Sequence, residues 1–458
     1  MSTRQSSVRS LRSARALQGK ALRQQVPRSA QAVWKLRPTA RDPLAILGVT
    51  DRGRIPTLVP IRYARMLQSP FAFLRGSAAV MAFDLARVPA TGIRVQACGD
   101  CHLLNFGAFA TPERHVIFDI NDFDETLPAP WEWDIKRLAA SIMVAGRYRG
   151  FAERQCADAV LTAVRAYREN LAEYATWPQL QVWYARIDAE QMVAKAANAN
   201  SSRPGTDGDA RAAATMSARL LPKLTEVIGG KRRIKDEPPL VYHPRREKAF
   251  LRQVRAAIHR YRRSLPPERR ALVDHYEVID VAMKVVGVGS VGTFCAVALL
   301  QADVDDPLFL QIKQARPSVL APYARKSAYR NQGERVVVGQ RLMQSASDMF
   351  LGWSRIDKLA VDFYVRQLRD MKISVNLDTL PIAGFINYAH YCGWAVARAH
   401  AKAGDAAAIS GYLGRSDAFD EALRHFSRAY ADQMEQDHAA LVKAVKSGRI
   451  HAQTDGAA

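Results

Sequence analysis

The residues with the clearest chemical potential are acidic and amide side chains in two short segments of the chain. Cys98-Gly-Asp-Cys-His-Leu-Leu-Asn105 contains Asp100 and Asn105, and a hydrophobic segment further on leads into Asp122-Phe-Asp124. An aspartate can orient or deprotonate an acceptor hydroxyl, and carboxylate and amide oxygens are ligands that Mg²⁺ prefers. The pattern predicts Asp100 as the catalytic residue and Asn105 and Asp122 as metal ligands.

Alternatives remain open for each of these residues. Asp100 and Asn105 are also typical turn formers, and Asp119 competes with Asp122 for the metal position. Cys98 and Cys101 form a lone Cys-x-x-Cys. No second pair follows at zinc spacing, so we favour a tight turn over a metal or redox site there.

A glycine-rich loop, Gly287-Val-Gly-Ser-Val-Gly292, stands much later in the chain. Without a β-carbon, Gly287, Gly289 and Gly292 let the backbone close over phosphates, with Ser290 beside them. Residues 278–286, 293–302 and 308–315 are predicted strands, the last two joined by a turn at 303–307. A strand after the loop favours the kinase pattern, since a dinucleotide fold needs a helix there. The loop predicts ATP binding, and a flexible hairpin is the alternative.

Lys313 lies among apolar residues in the third of these predicted strands. A buried ammonium group requires a charged partner, so we expect Lys313 to contact a phosphate or a carboxylate. Glu334, in a predicted helix over residues 329–345, is the candidate carboxylate. The alternatives are an exposed edge position for Lys313 and a solvated helix face for Glu334.

The elements around these residues follow from hydrophobic spacing. Short strands are predicted at 94–97 and 115–120, on either side of the Asp100 loop. Residues 71–74 suggest a strand or turn followed by a helix to residue 88. Helical spacing covers 133–175 and 189–227, with a break near 201–209, and returns over 381–446. Residues 238–244 are a candidate linker, and 362–368 a strand.

Charge and composition limit the class of protein. The 458 residues include 66 Lys and Arg against 44 Asp and Glu, a net charge of +22. Basic residues concentrate in 1–40 and 203–270, which fits either a solvated surface or docking of an acidic partner. The Arg- and Ser-rich start has the composition of a transit peptide, but a disordered arm is favoured. Five cysteines and no apolar span of membrane length predict a cytoplasmic protein.

Several motifs together resemble a known bacterial family, the domain of unknown function 2252. They are Gly99-Asp100-x-His102-x-x-Asn105-Phe-Gly107, Asn121-Asp-Phe-Asp-Glu125, Trp133-Asp-x-x-Arg-Leu138, the glycine loop, and Phe363-Tyr-Val-Arg-Gln-Leu368. The resemblance runs from about residue 54 to about residue 437, and it implies a protein-kinase-like fold. Asp100, Asn105 and Asp122 also resemble the signatures of aminoglycoside and small-molecule phosphotransferases. Cys98 replaces the usual histidine of that signature, which leaves the anchoring of the loop open.

The glycine loop follows the aspartates instead of preceding them, so the resemblance implies a circularly permuted, two-lobed α+β fold. We expect a basic arm (1–53), a catalytic lobe (54–270), a nucleotide-binding lobe (275–375), C-terminal helices that return to the first lobe (376–447) and a tail (448–458). The predicted function is phosphoryl transfer from ATP with Mg²⁺ to an unknown acceptor. The alternatives are nucleotidyl transfer, a nucleotide-binding pseudokinase that docks an acidic partner, and a nucleic-acid-binding protein.

Overall fold

The computed structural model of the protein describes residues 2–34, 41–189, 221–245, 247–304, 306–368 and 375–454. The fold is α+β, as predicted. None of the helices in the described ranges combines the length and apolar character that crossing a membrane requires. The predicted break near 201–209 lies outside the described residues, as does most of the predicted helix over 189–227.

Helices make up the larger part of the described chain. In order they are α1 (Ser2–Ala21), α2 (Pro43–Asp51), α3 (Val59–Leu67), α4 (Pro70–Gly76), α5 (Ala78–Leu85), α6 (Trp131–Tyr148), α7 (Glu153–Tyr174), α8 (Gln179–Tyr184), α9 (Glu247–Tyr261), α10 (Pro267–Val273), α11 (Gln332–Met343), α12 (Ile382–Ala403), α13 (Ala406–Leu413) and α14 (Ala418–Lys446).

The strands are short and pair antiparallel. They are β1 (Arg94–Ala97), β2 (Phe106–Ala110), β3 (Val116–Ile120), β4 (Leu127–Pro130), β5 (Thr225–Ile228), β6 (Lys231–Ile234), β7 (Val241–Tyr242), β8 (Glu277–Lys284), β9 (Cys295–Asp303), β10 (Asp306–Gln314), β11 (Gly352–Ile356) and β12 (Val361–Gln367). β1 pairs with β4 and β2 with β3, while β5 and β6 form a separate hairpin. The predicted strands at 94–97 and 115–120 are confirmed as β1 and β3.

A six-stranded sheet carries the glycine loop. Its order is β11-β12-β10-β9-β8-β7, and the three strands predicted around the loop are confirmed as β8, β9 and β10. The proposed linker at 238–244 contributes β7 instead, because its backbone pairs with the end of β8. The glycine loop joins β8 to β9, and Lys313 lies on β10, the neighbour of β9 in the same sheet. Helix α11 follows β10 in the chain.

Three long helices form the core beneath the β1 and β3 loops. Helices α7 and α12 lie so close that a β-carbon on Gly393 would come within 2.0 Å of the Ala163 carbonyl oxygen. Trp131, at the start of α6, stacks on Tyr167 with ring centroids 5.8 Å apart. Both side chains are fully buried, so α6 is fixed against α7 and the loops that contact α6 have a rigid support.

The N-terminal arm is helical in its described part, where a disordered segment was expected. Helix α1 packs on α13, with the Gly19 backbone against Ala408. Arg23 and Arg28 donate hydrogen bonds to the carbonyls of Gly411, Tyr412 and Leu413. These basic side chains therefore bind the C-terminal end of α13, where unpaired carbonyls and the helix dipole favour cations.

Residues 71–74 are also helical, not a strand or turn. Ser69 accepts a hydrogen bond from the Ala72 backbone N–H (3.0 Å), and Pro70 occupies the first turn of α4. A serine cap followed by proline starts a helix efficiently, which outweighs the strand propensity of the two phenylalanines in this segment.

Candidate active site

A cavity of about 680 Å³ lies where the glycine loop meets the loops that follow β1 and β3. Its lining includes Gly287, Gly289 and Ser290 on one side and the predicted polar residues on the other, which are Asp100, Asn105 and Asp122. Two groups of residues far apart in the sequence thus meet at one cavity. The described residues that line the cavity do not include Gly292, Lys313 or Glu334.

The Asp100 loop is anchored by the aspartate at the start of α6. The Asp134 carboxylate accepts hydrogen bonds from the backbone N–H groups of Cys98 (2.6 Å) and Gly99 (2.9 Å). His400 on α12 places Nε2 at 3.2 Å from the same carboxylate. Asp134 and His400 therefore provide the anchoring that the sequence left open at Cys98. The sequence places both residues in helices but does not indicate that they meet.

Asp100 itself is paired with an arginine. Arg137 Nε donates to Asp100 Oδ1 at 2.6 Å, and Asn105 Nδ2 donates to the Asp100 carbonyl at 2.7 Å. Burial lowers the pKa of His102 to about 4, so its imidazole is neutral at pH 7. The Asp100 side chain keeps 21% of its surface exposed, which leaves it accessible from the cavity while Arg137 fixes its orientation.

The structure distinguishes the two aspartates that compete for the metal position. Asp119 is fully buried, and both of its oxygens accept hydrogen bonds from Arg398 Nη2 (2.7 and 2.9 Å). Ser345 donates two more hydrogen bonds to Asp119 Oδ2. Asp122 has a side chain that is 36% exposed and lines the cavity. Asp119 therefore ties β3 to α12, and Asp122 is the aspartate that a ligand can reach.

The ammonium group of Lys313 is buried, and its partners are aspartates. Lys313 Nζ lies 2.8 Å from Asp124 Oδ2 and 3.7 Å from Asp122 Oδ2. Burial lowers the pKa of Lys313, but the charges of Asp122 and Asp124 outweigh it and raise that pKa well above its ordinary value. Tyr364 on β12 donates a hydrogen bond to the other Asp124 oxygen (2.6 Å).

The predicted pair of Lys313 with Glu334 is therefore not the one in the structure. The neighbouring Arg335 points inward from α11 and donates to the backbone carbonyls of Thr126 and Asp124. Glu334 lies in the first turn of α11, where its backbone N–H is capped by Asn331. The helical periodicity was correct, but the residue that reaches the acidic loop is the one next to Glu334.

The glycine loop is held by a segment that sequence analysis did not connect to it. Gly287 and Gly292 have positive φ angles (68° and 85°), which only glycine adopts readily. The Ile55 backbone N–H donates to the Gly292 carbonyl at 2.7 Å. A β-carbon on Gly289 would lie 3.2 Å from the Arg75 carbonyl oxygen. The glycine loop therefore packs against residues 54–76, and these contacts fix its position.

Four arginines, which we call the arginine wall, are part of the cavity lining, and no sequence motif indicated them. They are Arg54, Arg62, Arg75 and Arg316. Burial, together with the neighbouring charges of Arg62 and Arg316, lowers the pKa of Arg54 to about 9. The cavity thus has a cationic wall as well as the acidic group around Asp100 and Asp122.

Comparison with known families agrees with the motifs. Residues 54–444 match the family described as an uncharacterized protein conserved in bacteria (DUF2252). The chain belongs to this family. Searches among curated proteins and among solved structures return no match.

The DUF2252 match contains every residue of the cavity that the motifs predicted. Arg54 stands at its first position, and His400 also lies inside it. Helices α1 and α2 precede the matched residues, although α2 contributes Ile46, Val49 and Thr50 to the lining. The cavity of this DUF2252 protein is thus completed by a segment that the family match does not include.

Proposed function

We propose that the protein is a phosphotransferase that uses ATP and Mg²⁺, with a kinase-like, two-lobed and circularly permuted fold. The observation that carries the proposal is the shared cavity. Gly287 and Gly289 line it together with Asp100, Asn105 and Asp122. Phosphoryl transfer needs a cradle for phosphates, metal ligands and a carboxylate near the acceptor, and little further chemistry from the protein.

The order of elements in the six-stranded sheet supports the kinase-like part of the proposal. The glycine loop joins the antiparallel strands β8 and β9, and Lys313 lies on the next strand, β10, which α11 follows. Kinases place the phosphate-contacting lysine on their third strand, before a helix. Permutation is supported by α12, which follows the sheet in sequence yet brings His400 to Asp134 beside the Asp100 loop.

In the proposed reaction the acceptor's hydroxyl oxygen attacks the terminal phosphorus of ATP. The bond from that phosphorus to the bridging oxygen breaks, and ADP leaves with the electron pair. Asp100 takes the hydroxyl proton, while Arg137 holds the Asp100 carboxylate in position.

Asn105 and Asp122 fit Mg²⁺ because both offer oxygen donors at the cavity. The ion would neutralise charge on the phosphates. Lys313 would contact the phosphates from its position near Asp122. Asp124 holds the ammonium group there, and Tyr364 in turn donates a hydrogen bond to Asp124. Glu334 has no role in this scheme. Nucleotidyl transfer uses the same groups and differs only in the phosphorus that is attacked.

A second candidate is a pseudokinase that binds nucleotide and docks an acidic partner through its basic segments. The observation that favours it is the pairing of charges in the cavity. Arg137 compensates Asp100, and Lys313 compensates Asp122 and Asp124. Because Arg137 occupies Asp100 Oδ1, that oxygen is not free to accept a proton from an acceptor, which would reduce turnover without preventing ATP binding.

The test is the thermal shift that Mg-ATP produces in wild type, Asp122→Asn and Lys313→Met. A ligand at about a hundred times its Kd adds roughly 2.7 kcal/mol of stability. We expect a clear shift in wild type and a much smaller one in both variants. Asp357→Asn and Lys358→Met, exposed positions between β11 and β12, are the matched controls and should shift like wild type.

No wild-type shift at any tested ATP concentration would refute both candidates. A shift without release of ADP, with or without trial acceptors, favours the pseudokinase. A shift with ADP release that Asp100→Asn abolishes favours the phosphotransferase.

A further inference from the structure

The arginine wall of the cavity, formed by Arg54, Arg62, Arg75 and Arg316, has only part of its hydrogen-bonding capacity satisfied. Arg54 Nε and Arg316 Nη1 both donate to the Thr50 carbonyl, at 3.1 and 2.9 Å. Arg62 Nη1 pairs with Asp51, the last residue of α2. These contacts are explained by the C-terminal end of α2, where unpaired carbonyls attract cations.

Two nitrogens of the wall are not explained in this way. The Nε atoms of Arg62 and Arg75 are buried and have no hydrogen-bond partner. Arg62 as a whole is 1% exposed, and its Nη2 donates to the carbonyl of Gly76, the residue after Arg75. These buried donors show that neither arginine has a full set of protein partners. Because both side chains line the cavity, the incomplete pairing indicates a ligand there.

Arg75 lies between the two halves of the site. Its backbone carbonyl faces Gly289 of the glycine loop, and its charge interacts with Asp100. Asp100 is shared between the two arginines, because Arg137 donates to Asp100 Oδ1. The guanidinium group of Arg75 therefore borders the cavity at the place where an acceptor would approach Asp100.

We propose that Arg62 and Arg75 form a binding subsite for an oxyanion, and that the acceptor of the reaction carries this phosphate or carboxylate group. A guanidinium group presents a planar set of donors that matches both kinds of oxyanion. The subsite itself follows from the incompletely paired guanidinium groups of Arg62 and Arg75 at the cavity, whereas its assignment to the acceptor rests on the proposed function. The acceptor is then a small anionic hydroxyl compound, unlike the cationic aminoglycosides.

The terminal phosphate of ATP is the other possible source of the oxyanion. Lys313 and the glycine loop are the groups proposed to hold the nucleotide, so the phosphates of ATP already have a cation and backbone N–H groups as partners. The arginine wall adds cationic groups beyond those, next to Asp100. This arrangement favours the acceptor.

Binding of inorganic phosphate tests the subsite without nucleotide or metal. Isothermal titration should give saturable binding in the millimolar range for wild type and at least about tenfold weaker binding for Arg75→Gln. Arg325→Gln, an exposed position with the same charge change, should bind like wild type. Arg75→Lys keeps the charge but not the planar, forked donor set of arginine, so its phosphate affinity should lie between those of wild type and Arg75→Gln. Unchanged thermal midpoints in buffer without phosphate show that the variants fold.

Absence of saturable phosphate binding in wild type, or equal binding by Arg75→Gln, overturns the subsite. A second titration with saturating Mg²⁺ and a non-hydrolysable ATP analogue identifies its occupant. If the analogue leaves the phosphate affinity unchanged, the acceptor is supported as the occupant of the subsite. If the analogue competes with phosphate, the subsite belongs to the nucleotide and the assignment to the acceptor is overturned. If the analogue itself does not bind while phosphate does, the proposed function fails and the oxyanion subsite remains.

Discussion

Replacing Asp119 and Asp122 separately by asparagine should affect different properties of the protein. Asp119 is fully buried, and Arg398, which is also fully buried, has Nε and Nη1 without hydrogen-bond partners. Arg398 Nη2 contacts both Asp119 oxygens. Asp119→Asn therefore leaves a guanidinium charge in the core without its counter-ion.

The magnitude follows from burial. Removing one partner of a buried ion pair costs about 3–5 kcal/mol, a large fraction of the roughly 5–15 kcal/mol that stabilises a typical domain. The Asp122 side chain is 36% exposed and lies 3.7 Å from Lys313 Nζ, so Asp122→Asn should cost at most about 1 kcal/mol. The two substitutions change the charge equally, which makes each the control for the other.

Urea unfolding followed by tryptophan fluorescence measures the stability, and the thermal shift with Mg-ATP measures binding. We expect Asp119→Asn to unfold at clearly lower urea concentration and to keep the nucleotide shift. Asp122→Asn should unfold like wild type and lose the shift. If Asp119→Asn is as stable as wild type, or if Asp122→Asn binds nucleotide normally, the assignment of these two aspartates is refuted.

Two further predictions concern the loops of the cavity. Gly99→Ala should lose several kcal/mol in thermal unfolding, because φ is +87° and a β-carbon would lie 2.3 Å from the Glu125 carbonyl oxygen. Gly150→Ala, with φ +72° and open space around it, should lose only the roughly 1–2 kcal/mol of the left-handed conformation, and equal losses would contradict the proposed contact. Burial raises the pKa of Glu125 to about 7, above its unfolded value of 4.5, so native stability is lost as the pH rises through this range. Glu125→Gln should therefore be more stable than wild type at pH 8, by at most about 3 kcal/mol, and the difference should shrink toward pH 5. A difference independent of pH would argue against this titration.

The parts of the site that could be predicted are those in which residue type and local spacing carry the information. Asp100 and Asn105 follow a strand, and the glycine loop lies between strands, because hydrophobic alternation and glycine placement are local properties. The predicted roles of these residues remain predictions. The local pattern also predicted the helix that contains Glu334, but it did not predict which face of that helix points toward the acidic loop. Arg335 reaches the acidic loop because side-chain direction depends on how α11 packs.

The basic N-terminal arm shows the same limit. Its composition is that of a solvated segment, yet Arg23 and Arg28 bind carbonyls of α13 nearly four hundred residues away in the chain. An arginine in the sequence does not indicate whether water or a helix end will accept its hydrogen bonds. That choice depends on which surfaces meet.

The sequence alone determined the chemical groups of this protein, the order of its strands and helices around them, and its membership of the DUF2252 family. Tertiary structure decided which aspartate is buried with Arg398, which carboxylate pairs with Lys313, and that Arg62 and Arg75 line the same cavity as Asp100. The physical reason is that residue type and periodicity act over a few neighbouring residues, whereas burial and ion pairing depend on contacts between segments distant in the chain.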